Sequence, residues 1–140
     1  MKIICVGKVK EKWIKQGCDH YVKSIKHYGK LDVNEIKDSS VKEEGKKLLE
    51  KNGKSFLIVL DETGKQFSSR NFSERISKVN KDIVFMIGSS DGLSEEVKKK
   101  ADLTLGLSDM TFTHEMARLF LLEQIYRHFM IINNRTYHRD

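Results

Sequence analysis

The stretch Phe85–Val97, FMIGSSDGLSEEV, is an apolar run that stops at a glycine, crosses two serines, an aspartate and a second glycine, and restarts as a polar segment. The run IVFMIG has no polar position, so it reads as a strand buried on both faces. Ser94 is placed to cap a following helix, and Glu95 and Glu96 suit the dipole of its first turn. Gly88 and Gly92 let a ligand or another passage of chain come close to the backbone. What approaches there is the question this stretch raises.

Outward from it, strand and helix patterns alternate in both directions. KIICV reads as a buried strand. From Glu11 to Tyr28, Trp13, Gly17, Tyr21, Ile25 and Tyr28 fall on one helical stripe. LDVNEI alternates like a strand, with Leu31, Val33 and Ile36 toward the core. A lysine- and glutamate-rich helix follows from Val41 to Asn52 and is ended by Gly53. SFLIVLD is an apolar strand and ETGK a turn. Ser68 to Asn80 forms a helix with Phe72, Ile76 and Val79 on one side. A short helix starts near Ser94, and LTLGLS comes next. The last helix runs from Thr113 to Phe129, with Met116, Phe120, Leu121, Ile125 and Phe129 inward. Repeated strand–helix units with strands apolar on both faces predict an α/β fold, a mostly parallel sheet covered by helices. No repeat, linker or low-complexity tract divides it, so residues 1–140 read as a single domain.

The chain has 140 residues, enough to bury a core without metals or disulfides. No apolar run approaches the roughly 20 residues that span a bilayer. MKIICVGKVK reads as a strand rather than a signal peptide, since charge follows at once and no small-residue cleavage site appears. Cys5 and Cys18 read as reduced thiols of a cytosolic protein, and no Cys/His spacing suggests zinc. Lys and Arg outnumber Asp and Glu by 26 to 20, a net charge of +6 that favours a polyanionic partner. Arg118, Arg127, Arg135 and Arg139 crowd the C-terminal quarter with His114, His128 and His138, which makes this end the expected contact face.

Open α/β sheets bind ligands outside the carboxyl ends of their strands. Three such ends carry unusual residues: Leu60 before DETGK, Gly88 to Gly92, and Leu107 to Phe112, LSDMTF, with Thr111 or Thr113 to cap the last helix. The glutamates after Ser94 repel a phosphate, and no G-x-G-x-x-G is present, so a ligand without phosphates fits better than a dinucleotide. Glu123 and Arg127 stand at i and i+4 on one helix face, an ion pair or part of a site.

Together, IGSSDGLSEEV, LSDMTFTHEMARLFLLEQIYR and the terminal YHRD resemble the RlmH family, small methyltransferases of the SPOUT class. KIICVGKVKEKWIKQGCDHY and LDETGKQFSS match it as well, so the resemblance spans essentially the whole chain. It implies a C-terminal trefoil knot, S-adenosyl-L-methionine as cofactor, and methylation of N3 of a pseudouridine in large-subunit ribosomal RNA on the ribosome. It also implies a cytoplasmic homodimer with the active site shared across the interface, and no membrane or metal. Cofactor-binding positions carried over are Leu60, Gly88, Leu107, Ser108, Asp109, Met110, Thr111 and Phe112. Catalytic positions are Glu123 and Arg127 on the last helix, and Tyr137, His138 and Arg139 on a tail expected to order over the nucleotide when RNA arrives. The interface is expected on the last helix, through Phe120 and Phe129.

The chain departs from the family at Ser89, where a second glycine is usual, and at Thr113, where proline is. KDSSVKEEG is shorter than the basic segment many relatives carry. Ser89 tightens the pocket if its φ is positive. Two other classes stay open: a non-catalytic ribosome- or RNA-binding relative of the same fold, and an adenine-nucleotide enzyme of doubly wound topology. Within the methyltransferase reading, Arg127 or Arg139 stabilises charge on the base oxygen and Glu123 orients Arg127. His138 takes the proton or hydrogen-bonds the base, and Tyr137 packs on it.

Overall fold

The computed structural model describes residues 1–139; Asp140, the end of the quoted tail, lies outside them. Strands and helices alternate throughout: β1 (Lys2–Val6), α1 (Lys12–Lys26), β2 (Asp32–Ile36), α2 (Val41–Asn52), β3 (Phe56–Lys65), α3 (Ser69–Ser77), β4 (Ile83–Ile87), α4 (Glu95–Lys100), β5 (Leu103–Leu105) and α5 (His114–Ile132). The strands form one sheet in the order β2-β1-β4-β3-β5, and every strand pairing in it is parallel.

The two-residue period of the strands builds a core on each face. Ile83, Phe85 and Ile87 of β4 join Ile3, Cys5 and Ile58 beneath α1, α3 and α5. Val84 and Met86 join Ile4, Val6, Leu57 and Val59 beneath α2 and α4. All five residues of β4 are buried, as the uninterrupted apolar run requires. The helices on both faces also leave the carboxyl ends of the strands open at one edge of the layer.

Four details differ from the sequence reading. In α1 the buried residues are Ile14, Cys18 and Ile25, while Trp13 is 58% exposed and Tyr28 is exposed as well. Two stripes one residue apart both have helical spacing, so periodicity alone could not choose between them. In α5, Phe129 is buried, but Phe120 is 36% exposed and stacks edge-on against Phe112 at 5.0 Å; the helix continues past Phe129 to Ile132.

ETGK is not a turn that ends a strand. Leu60 and Lys65 both pair with Leu105, so β3 bulges outward between them and then rejoins the same partner. A Cβ on Gly64 would lie 2.5 Å from the Gly106 nitrogen, so two chain passages meet here backbone to backbone. The basic C-terminal end is also less of a contact face than its composition suggests. Arg118 is buried, donating to Glu35 at 2.6 Å and to the Gly7 carbonyl at 2.9 Å. His128 is buried against the Ser73 hydroxyl at 2.8 Å. A buried charge needs such partners, and Glu35 is too distant in sequence for local pattern to reveal it.

Candidate active site

At the carboxyl ends of β3, β4 and β5 a cleft of about 900 Å³ opens. Leu60 ends the regular part of β3 beside it, and Ile87 and Gly88 close β4 there. Leu107, Ser108, Met110, Thr111 and Phe112 form the wall contributed by the segment between β5 and α5. Seven of the eight carried-over cofactor positions thus line one cavity. The eighth, Asp109, is not among the lining residues; its carboxylate accepts from the Gln66 amide at 2.5 Å.

Local hydrogen bonds give this wall its shape. The Ser108 hydroxyl accepts from the Met110 nitrogen at 3.1 Å, and Thr111 donates to Glu62 at 3.0 Å across the cleft mouth. Thr113 caps α5 by accepting from the Met116 nitrogen at 3.2 Å, so the cap position is Thr113 and not Thr111. Ser94 caps α4 through Val97 in the same way, at 3.3 Å.

In the turn after β4 the group that crowds the backbone is another part of the same loop. A Cβ on Gly88 would sit 2.5 Å from the Gly92 carbonyl oxygen, so the close approach comes from the loop itself. Gly92 has φ +79° and donates to the Ser89 carbonyl at 3.0 Å. Ser89 is buried, and its hydroxyl donates to Glu44 at 3.2 Å. Its φ is not positive, so the condition for Ser89 tightening the pocket is not met. Instead it ties the loop to α2.

The cleft is acidic. Glu11, Asp61, Glu62, Asp91 and Glu115 line it, against Lys98 and His114. Burial works against the Asp61 charge, but Lys98 at 2.7 Å and two bonds from Thr63 outweigh it and hold the carboxyl below its usual range. Burial likewise opposes the Glu115 charge, and the Glu11 and Lys10 backbone N–H groups, each at 3.1 Å, overcome it. Such a lining repels phosphates and suits a ligand carrying positive charge. The apolar part of the lining includes Leu60, Leu107 and Phe112.

A second cluster forms where the tail folds back on α5 and α1. The Tyr137 hydroxyl donates to Glu123 at 3.0 Å and lies 3.3 Å from the Tyr21 hydroxyl. Its ring packs edge-on against Tyr126 at 4.8 Å, and the Arg127 guanidinium stacks on it at 4.9 Å. Arg127 also pairs with Glu123 and lies 3.2 Å from His138 Nδ1. Burial first, then the bonds to Tyr21 and Glu123, push the Tyr137 phenol well above its usual range, so it stays a donor. Glu123, Arg127, Tyr137 and His138 are therefore brought together, with Arg139 exposed. The tail thus packs against α1 and α5 through Tyr137 and His138. Tyr21 and Tyr126 were missed in the sequence; their signal was an aromatic on the α1 stripe and one beside Arg127.

The two clusters are apart within one chain. The cleft takes His114, Glu115 and Ala117 from the start of α5, and none of the four tail-cluster residues lines it. Glu123 is nine residues past His114, or about 14 Å along a helix.

A family model described as "Predicted SPOUT methyltransferase" matches residues 1–138. A protein of Trichlorobacter lovleyi named Ribosomal RNA large subunit methyltransferase H is 43% identical, covering 99% of this chain and 98% of its own. One of the same name from Malacoplasma penetrans is 40% identical, covering 99% of each. Among solved structures, a probable methylase family protein from Haemophilus influenzae superposes with a TM-score of 0.60 at 13% identity, over 99% of this chain and 70% of that one. A putative RNA methyltransferase from Bacillus anthracis gives 0.57 at 14%, over 92% and 94%. At these identities the two structures speak for the fold.

Proposed function

The chain belongs to the ribosomal RNA large subunit methyltransferase H family of SPOUT methyltransferases, and on that premise we propose that it methylates N3 of a pseudouridine in large-subunit ribosomal RNA, on the ribosome and in the cytoplasm, with S-adenosylmethionine as donor. The observation that carries this reading is the convergence of three strand-end loops on one acidic cleft with apolar walls. That lining suits a cationic nucleoside cofactor and disfavours the phosphates of a dinucleotide or ATP. When bound, S-adenosylmethionine supplies an electrophilic methyl group on sulfur.

In this reading Leu60, Leu107 and Phe112 hold the adenosine by apolar contact. Glu11 and Asp91 face the positive charges, and Thr111 and Ser108 fix the wall. The turn at Gly88 and Gly92 lets backbone, not side chain, border the ligand. The tail cluster takes the target nucleotide. Arg127 presents a guanidinium that is already stacked and paired, so little freedom is lost when it meets a base oxygen. Arg139 reaches a phosphate, and the protein's contribution is chiefly to align N3 with the methyl group.

The separation of cleft and tail cluster supports a homodimer whose partner completes each site. Its interface is placed on the α1–α5 face, where Trp13, Tyr28, Ile132 and Tyr137 leave aromatic and apolar surface exposed. Phe129 is core and Phe120 is engaged with Phe112, so neither is central to it. The trefoil knot and a single domain over 1–140 belong to the same reading. The test is mass-spectrometric mapping of pseudouridine methylation in ribosomes from cells with and without the gene for this protein. An N3-methylpseudouridine lost with the gene and restored by purified protein and cofactor is the expected result. Unchanged modification in its absence overturns the proposal.

A further inference from the structure

We propose that Glu44, a residue of α2 that does not line the cleft, is a positioning residue for it: Glu44 holds the turn Ser89–Gly92 in place and so sets how tightly the cleft takes its cofactor. The inference rests on the function proposed above and assigns control of cofactor affinity within that site.

Glu44 lies in the first turn of α2 and is 2% exposed. A carboxylate so buried needs donors on its oxygens. Oε1 accepts from the Ser39 nitrogen at 2.8 Å, just before the helix. The dipole of α2 also favours an anion at this end. These two interactions are enough for a helix start. Oε2 reaches elsewhere. It accepts from the hydroxyl of buried Ser89 at 3.2 Å, 45 residues farther along the chain.

The same turn of α2 supports the other end of that loop. A Cβ on Gly45, the next residue, would lie 2.4 Å from the Ser94 hydroxyl, so Ser94 rests where a side chain is missing. Between the two supports the chain closes on itself, the Gly92 N–H donating to the Ser89 carbonyl at 3.0 Å. Ser90, Asp91 and Gly92 are exposed and line the cleft. The part of the loop that meets a ligand is therefore held from behind, at Ser89 by Glu44 and at Ser94 by the surface of α2. Without the Glu44 bond, Ser89 is free to turn its hydroxyl to water and to carry Asp91 with it. Restoring the turn would then oppose cofactor binding.

Glutamine can keep the bridge. Its carbonyl oxygen accepts from the Ser39 nitrogen, and its amide donates to the Ser89 oxygen, because a hydroxyl accepts as well as donates. Leucine can do neither. By calorimetry, Glu44→Gln should bind S-adenosylmethionine within about threefold of the parent, and Glu44→Leu and Ser89→Ala each about tenfold more weakly. The double variant should bind no more weakly than either alone, since both cut one bond. The loss in Glu44→Leu should appear in the cofactor concentration that half-saturates single-turnover methylation, not in the saturated rate.

Ser40→Ala separates positioning from a weakened helix. Ser40 caps α2 by accepting from the Glu43 nitrogen at 3.3 Å. Its loss should lower the melting temperature and leave cofactor affinity at the parent's value. Should Glu44→Leu not fold, Ser89→Ala beside Ser40→Ala makes the same comparison. A Ser89→Ala protein with the parent's affinity, losses that multiply in the double variant, a Glu44→Gln protein as weak as Glu44→Leu, or a Ser40→Ala protein as weak as Ser89→Ala overturns the proposal.

Nitrogen-15 relaxation of the protein without cofactor or RNA gives a separate reading. Backbone order parameters at Ser90, Asp91 and Gly92 should stand near about 0.85 in the parent and in Glu44→Gln, and fall toward about 0.6 in Ser89→Ala and Glu44→Leu. Values that do not fall overturn the inference even if the cofactor binds. A parent that binds no S-adenosylmethionine while the values fall as expected would instead count against the function and leave the hold of Glu44 on the turn standing.

Discussion

Gly88 shows how a single hydrogen in place of a methyl shapes the site. Its missing Cβ is the space into which the Gly92 carbonyl folds, so Gly88→Val should damage the loop before any ligand is considered. Backbone cannot retreat as a flexible side chain can, and the cost should be about 1–3 kcal/mol. A thermal melt should show the loss, and calorimetry should show weakened S-adenosylmethionine binding; a variant that melts and binds like the parent contradicts this account of the turn. His128 carries a different signature. Burial lowers its pKa to about 4 in the folded protein, against 6.5 for an exposed imidazole. Below pH 6.5 the unfolded chain takes up a proton that the native chain refuses until about pH 4. Stability tied to neutral His128 is therefore intact above pH 6.5 and is lost progressively as pH falls toward 4, by about 3 kcal/mol in all. Urea titrations at pH 7 and pH 4, compared with His128→Gln, isolate it: the parent should lose more on acidification than the variant. Equal losses would show that His128 is not held neutral by the fold.

Helices here are joined by glycines whose neighbours decide what a methyl group costs. A Cβ on Gly45 of α2 would lie 2.4 Å from the Ser94 hydroxyl, which is the N-cap of α4. A Cβ on Gly17 of α1 would meet only the end of the Leu119 side chain, at 2.8 Å. Alanine in a helix gains about 1 kcal/mol over glycine, while losing an N-cap costs about the same or more. Gly17→Ala should hold or raise the unfolding midpoint, because Leu119 can turn aside. Gly45→Ala should lower it, because Ser94 cannot move without releasing Val97. The reverse order in chemical denaturation would mean that these contacts do not govern the two helices. This scale also marks what sequence could tell. The strands were legible because β4 and the middle of β3 are apolar on both faces, which only a covered parallel sheet explains. The Ser94 cap was legible because it acts on a residue three positions away, whereas Thr111 and Thr113 were equal candidates for α5 and the bond to Met116 decides for Thr113. The phase of α1 was not legible, since Trp13 and Ile14 both head acceptable stripes. Nor was the return of β3 to Leu105 after its bulge, or the burial of Arg118 on Glu35, because each depends on a partner far along the chain. For the site, the cleft residues were readable loop by loop. The Tyr21–Tyr137 contact joins the first helix to the tail and left no local trace.

At the scale of the whole molecule, one chain holds the cleft and the tail cluster apart. The cleft lies at the start of α5 and the tail cluster about 14 Å farther along it. A two-fold dimer through the α1–α5 face would set one chain's tail cluster toward its partner's cleft, since an isologous interface pairs each patch with the other's. Mixed dimers test this. In one parent the cleft is blocked by Leu107→Lys, which puts a cation into the wall proposed to hold a cationic cofactor. In the other the tail is removed from Tyr137 onward, a segment with too little apolar surface to matter much to the core. Each homodimer should be inactive. If the tail is severed without harm to the cleft, the truncated protein should keep its cofactor affinity and melting temperature. Unfolding and refolding the two together at equal concentration gives about half mixed dimers, each with one intact cleft facing one intact tail, so about a quarter of the parent's sites should return. Were each site built within one chain, every subunit of the mixture would carry a defect and no activity would return. Recovery requires exchange of subunits, so size-exclusion chromatography of differently tagged chains should show mixed dimers before turnover is measured. A mixture that forms such dimers and remains inactive places cleft and tail in the same chain, and the docked tail would then have to swing across α5 to reach the cofactor.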